Sequence, residues 1–168
     1  MNRRSCAWLG TRLLGCCLLL AAGCANVDPR TAADPEQPVW QGRLALKVAG
    51  EPAQAFSANF VLRGSASRGT LSLTSILGTS LATLSWDAQS ATLKTPQTVQ
   101  QFASADDLVS HSVGTPLPIA TLFGWLHGDA TPVEGWQVDL QSLAQGRIKA
   151  WRLAPDAAAE IKIILEPG

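Results

Sequence analysis

WQGRLALKV, residues 40–48, alternates Leu44, Leu46 and Val48 with Arg43, Ala45 and Lys47. A repeat of two is the repeat of a strand, whose successive side chains leave by opposite faces, so this segment reads as a strand buried on one side only. Gly50-Glu51-Pro52 then turns the chain. Phe56, Ala58, Phe60 and Leu62 next alternate with Ser57, Asn59, Val61 and Arg63, which makes the two segments a hairpin. Leu71 and Leu73 mark a third strand, and Ala82, Leu84 and Trp86 a fourth. Shorter strands are expected at 91–95 and 98–102, and others at 136–140, 147–153 and 159–165.

Between the two groups of strands the period changes. Ser104-Ala105-Asp106-Asp107 has the form of a capping box, with Ser104 as N-cap and Asp107 where Glu or Gln is usual, and predicts a short helix to about Val113. A second helix of about three turns is expected after Pro116 and Pro118, with Ile119, Leu122, Phe123 and Leu126 at helical spacing and Gly128 past its end. The chain is therefore mostly β, of the α+β class. Two short helices cannot cover so many strands if the sheet is flat, so it is expected to curl into an open barrel with the helices across its mouth or inside it. A small filled barrel fits the same periodicity.

Ahead of the strands, Arg3, Arg4 and Arg12 precede an apolar run from Leu13 to Ala22 that is too short to span a bilayer. Residues 1–23 thus read as an export signal. It ends in Leu20-Ala21-Ala22-Gly23-Cys24, which resembles a bacterial lipobox although Ala21 stands where Leu is usual. Cleavage before Cys16 or Cys17 would leave too short an apolar run, and a plain secretory signal would leave Cys24 without a role. Residues 25–38, ANVDPRTAADPEQP, hold three prolines and little apolar bulk and read with Cys24 as a flexible tether reaching about 20 Å. Residues 39–168 are the folded domain.

The whole chain balances 13 Lys+Arg against 13 Asp+Glu, and loss of the signal removes three arginines. A slightly acidic body argues against nucleic-acid binding. With the first 23 residues gone, Cys24 is the last cysteine, so neither an internal disulfide nor a thiolate metal site is expected. His111 and His127 belong to no metal-binding pattern, Ser110 and Ser112 to no nucleophile elbow, and Asp106, Asp107, Asp129 and Glu134 flank helices or turns as caps do. The chain reads as a non-enzyme.

Three segments carry a family resemblance: WQGRLALKV, then GTLSLTSILGTSLATLSW (69–86), then FASADDLVSHSVGTPLPIATLFGWLHGDA (102–130). In this order, behind a lipobox-like Cys24, they resemble the LolB family of outer-membrane lipoproteins. The resemblance implies an incomplete antiparallel β-barrel of about 11 strands, with a helical lid enclosing a hydrophobic cavity. It implies an outer-membrane protein anchored on the periplasmic face by N-acyl diacylglycerol on Cys24, with no other cofactor. Such a protein takes acylated lipoprotein cargo from a LolA-type periplasmic carrier and inserts it into outer-membrane lipid, as a monomer. The implied insertion loop is Ile76, Leu77 and Gly78, with Ile76 where the family usually has proline. Folding back of Ile76 or Leu77 into the core is the competing reading of that loop. The expected cavity lining is Leu44, Leu46, Phe56, Phe60, Leu71, Leu73, Leu84 and Trp86 from the strands, and Ile119, Phe123 and Leu126 from the lid. A lipocalin-like lipid carrier, or a scaffold lipoprotein of an assembly machine, is the alternative function.

Overall fold

The computed structural model describes residues 37–50, 53–114, 116–153 and 158–167. The export signal, Cys24, most of the tether and Glu51-Pro52 of the first turn lie outside the described residues. Nine strands follow the alternations of the sequence: β1 Val39–Val48, β2 Gln54–Gly64, β3 Gly69–Thr74, β4 Ser80–Trp86, β5 Ala91–Lys94, β6 Val99–Phe102, β7 Trp136–Asp139, β8 Arg147–Arg152 and β9 Ala159–Leu165. They form one antiparallel sheet in the order β6-β5-β4-β3-β2-β1-β9-β8-β7. Among the described residues no ladder joins β6 to β7, so the sheet is open. Its nine strands replace the eleven expected from the family resemblance.

The register keeps every apolar set on one side. Leu44 stands opposite Ala58 on β2 and Ile163 on β9, Phe60 opposite Leu73, Leu71 opposite Leu84, and Ile148 opposite Ile163. A slip of one residue would turn a whole strand inside out, and this matched pattern excludes it. Gly42 interrupts β1 for a steric reason. Its φ is 154°, and an added Cβ would land on the carbonyl oxygen of Ile164 in β9, so only glycine lets the two backbones meet. Gly69 makes room differently. The indole of Trp86, its cross-strand partner, lies over it, 2.5 Å from where a Cβ would sit.

The first helix, α1 Ala105–Val113, starts as its capping sequence dictates: Ser104 Oγ accepts the N–H of Asp107 at 3.1 Å and donates to the Asp107 carboxylate at 2.7 Å. The second, α2 Ile119–Leu126, has eight residues and ends two short of Gly128, because His127 and Gly128 already close its last turn onto the carbonyls of Phe123, Gly124 and Trp125. It is shorter than the three turns expected. Ile119, Phe123, Trp125 and Leu126 are buried. At roughly 1.5–3 kcal/mol for each fully buried large apolar side chain, tertiary burial and not helix propensity holds so short an element.

Candidate functional site

The covered face of the sheet is the one site that draws residues from all parts of the described chain. Phe60, Leu73, Leu84 and Trp86 from the strands and Ile119, Phe123 and Leu126 from α2 are buried in a single apolar cluster, with Leu44, Leu46 and Leu71 half-buried beside them. Phe56 differs. It shares the face with Leu46 but sits near the start of β2 and is 38% exposed. All eleven expected lining residues therefore lie on the apolar side or on α2. Two clefts, of about 570 and 580 Å³, open elsewhere: one beside β7 and the 130–133 loop, the other between the ends of β1, β2 and β8.

Phe123 is the hub of the cluster. Its ring meets the edge of Trp40 at 5.5 Å between centroids and that of Trp86 at 6.3 Å. Trp40 is on β1 and Trp86 on β4, about 14 Å apart in a flat sheet at ordinary strand spacing. One phenylalanine of α2 thus bridges rings from strands three apart in the sheet. Trp86 is fixed from behind, its Nε1 donating to the Ser65 carbonyl at 3.0 Å. His127 packs edge-on to Trp40 at 5.2 Å, and its Nδ1 carries the proton that meets the Phe123 carbonyl at 2.7 Å.

Few polar bonds tie the helices down. Pro118 is the N-cap of α2 and supplies no side-chain bond, so the N–H of Ile119 is taken by Asp106 of α1 at 2.7 Å. Just before α2, the Pro116 carbonyl accepts from Trp136 Nε1 at 2.9 Å and from Arg152 Nη1 at 3.3 Å. Arg152 is a buried cation on the apolar side of β8. Sequence reasoning did not single it out, although Ile148, Ala150 and Arg152 share one face of that strand. Beyond α2, Asp129 accepts from the hydroxyl and N–H of Thr131 at 2.6 and 2.9 Å, which holds its carboxyl below the usual range.

The β3–β4 tip is built differently. Ser75 Oγ accepts the N–H groups of Leu77 and Thr79 at 3.2 and 3.1 Å, and its carbonyl accepts those of Gly78 and the Asn59 side chain. Gly78 takes a φ of 83°. With the backbone satisfied inside the turn, the side chains face out: Ile76 is 75% and Leu77 88% exposed. No helix among the described residues is long and apolar enough to cross a membrane.

Residues 38–158 match the family model described as Outer membrane lipoprotein LolB. The chain belongs to the LolB family. LolB of Ralstonia nicotianae is 33% identical over 133 residues, covering 74% of this chain and 64% of the relative. LolB of Shewanella baltica is 34% identical over 141 residues (79% and 63%), and that of Bordetella petrii 36% over 148 residues (83% and 70%). The chain thus spans a little under two thirds of the first two relatives. Each of these proteins bears the name outer-membrane lipoprotein LolB, and membership places the chain in the outer-membrane lipoprotein class.

Proposed function

We propose that this chain is a receptor for the acyl chains of other lipoproteins, taking them from a LolA-type periplasmic carrier and releasing them into outer-membrane lipid. On this reading residues 1–23 are removed, Cys24 is acylated, and 24–38 tether the domain. The sheet acts as an incomplete barrel and α1 with α2 as its lid.

One observation carries the reading: the apolar face of an open sheet is filled by the side chains of a two-turn helix that few polar bonds hold among the described residues. An acyl chain that displaces Ile119, Phe123 and Leu126 replaces apolar atoms with apolar atoms, so the sheet stays dry throughout the exchange. A sixteen-carbon chain in water costs on the order of 12 kcal/mol at about 0.8 kcal/mol per methylene, and therefore passes between proteins only from one covered site to another. No nucleotide is needed when each site along the route binds the chain more favourably than the last. The protein acts as an acceptor and not as a catalyst.

The test uses a fluorescent fatty acid and a cargo-loaded carrier. Phe60→Asp and Phe123→Asp put a charge against the acyl chain and are expected to weaken probe binding by at least about tenfold and to block cargo acceptance. Circular dichroism selects variants that remain folded. Unchanged probe affinity in both folded variants overturns the assignment of this face to acyl chains.

A further inference from the structure

Charge is sorted between the two sides of the sheet. From residue 95 to residue 146, a stretch containing both helices, the sequence has no Lys or Arg, while Asp106, Asp107, Asp129 and Glu134 lie on the helices and the loops after them. The uncovered face of β1, β9 and β8 is the reverse. Arg43, Lys47, Lys162, Arg147 and Lys149 alternate there with the buried positions of those strands. Arg63 and Lys94 extend the same face on β2 and β5.

Two placements on this face stand out, although Lys149 also lies 5.6 Å from the centre of the Trp151 ring. Lys149 stands directly opposite Lys162, and like charges at opposed cross-strand positions destabilise a sheet. Ile164, 51% exposed, stands between Arg43 on one neighbouring strand and Arg147 on the other. Two carboxylates share the face. Glu160 is paired with Lys162, which holds its carboxyl below the usual range with help from Lys149 and Lys47, and Asp139 stands opposite Lys149. Cations remain in excess.

We propose that the uncovered face of β1, β9 and β8 docks on anionic phospholipid headgroups, with Arg43 and Arg147 flanking Ile164 at the lipid boundary. Cations framing an exposed apolar residue suit a surface that offers phosphate outside and hydrocarbon just beneath. The proposal rests on the reading of Cys24 as a lipid anchor. The 15 residues from Cys24 to Pro38 then hold the domain at an r.m.s. distance of roughly 20 Å from its anchor, where weak charge attraction acts at high local concentration. Docked this way, the acidic helical side faces away from the lipid, toward an arriving carrier.

The experiment uses the mature chain, residues 24–168, carrying Cys24→Ala, so that neither the export signal nor an acyl anchor contributes, and sedimentation with vesicles of phosphatidylcholine alone or with about 30% phosphatidylglycerol. Binding is expected only to the anionic vesicles, and to be lost between roughly 50 and 300 mM salt. Adding Arg43→Gln and Arg147→Gln is expected to weaken it about twenty-five-fold, at about fivefold per charge. Lys149→Gln, at an exposed position opposite another lysine, serves as the second variant if the pair does not fold. Equal binding to both vesicles, or unchanged binding of the folded variants, overturns the proposal. So does a charge variant that keeps vesicle binding but no longer takes cargo from the carrier, which assigns the face to a protein. In the parent protein with its basic face unaltered, failure of cargo transfer with salt-sensitive sedimentation intact counts against the receptor reading and supports this one.

Discussion

Asp106, in the first turn of α1, accepts the backbone N–H of Ile119, the first residue of α2, at 2.7 Å. One helix thus caps the other. The residue that complements the dipole of its own helix also supplies the bond that Pro118 cannot give. Asp106→Ala is expected to lower stability by about 1–2 kcal/mol, the usual cost of a lost cap. Amide hydrogen exchange should speed up in α2 before it does in β1 or β2. Uniform acceleration across the chain would show that the bond does not specifically hold the helix.

At Gly42 the prediction is steric. Gly42→Val adds atoms where the Ile164 carbonyl already lies and requires a backbone angle that β-branched residues avoid. A loss of roughly 3 kcal/mol or more is expected, with β9 separating first. Chemical denaturation measures the total, and loss of exchange protection at Leu44 and Ile163 locates it.

Leu77→Glu is expected to leave the fold and the uptake of cargo intact while delivery to vesicles falls by a factor on the order of ten to a hundred, the value of one apolar side chain lost from lipid. Ser75→Ala removes the hydroxyl that accepts from Leu77 and Thr79, so the tip loosens and delivery slows less. A two-stage assay scores cargo first on the protein and then in lipid. Wild-type delivery by Leu77→Glu would show that the exposed leucine has no part in release.

For the anchor, the chain of residues 24–168 with Cys24→Ala, exported behind an ordinary secretory signal, is expected to fractionate as soluble protein at about 300 mM salt, where headgroup attraction is screened, and to take up no radioactive palmitate. Its melting temperature should not change, because every strand of the sheet begins at Val39 or later. Persisting palmitate label would place the acylated cysteine elsewhere.

Below the usual carboxylate range the 129–131 turn should also weaken. The bonds from Thr131 lower the pKa of Asp129, so whatever they add to stability is present above the unfolded value and is lost as the pH falls through the folded one. Asp129→Asn should flatten that acid limb, as read by the chemical shifts of Thr131 through an acid titration.

The long strands were legible because a half-buried strand prints its period of two in the sequence, as Leu44-Ala45-Leu46-Lys47-Val48 does, whereas a short margin strand such as Val99-Gln100-Gln101-Phe102 prints none and was placed by its position in the meander. Eleven came only from the family resemblance. The start of α1 was equally legible, since Ser104 and Asp107 bond locally. The length of α2 was not. Its last apolar residue, Leu126, does mark its end, but His127 and Gly128 bond back to the helix so that it closes after about two turns and not the three expected with Gly128 as terminator. The bond from Asp106 to Ile119 and that from Arg152 to Pro116 join positions far apart in the chain, and no local pattern announces either. Phe56 alternates as well as Phe60 does, yet only Phe60 lies where the sheet is covered.

Because no ladder joins β6 to β7 among the described residues, the girth of this sheet is not locked. A closed barrel has its radius fixed by strand number and stagger, and can widen only by breaking a ladder. Here the two margins are four-residue strands that can swing apart with every existing ladder intact. On the proposed receptor reading, the holding capacity of such a vessel is elastic, and guests with different numbers of tails are admitted by the same walls, with the gap between the margins setting how many fit.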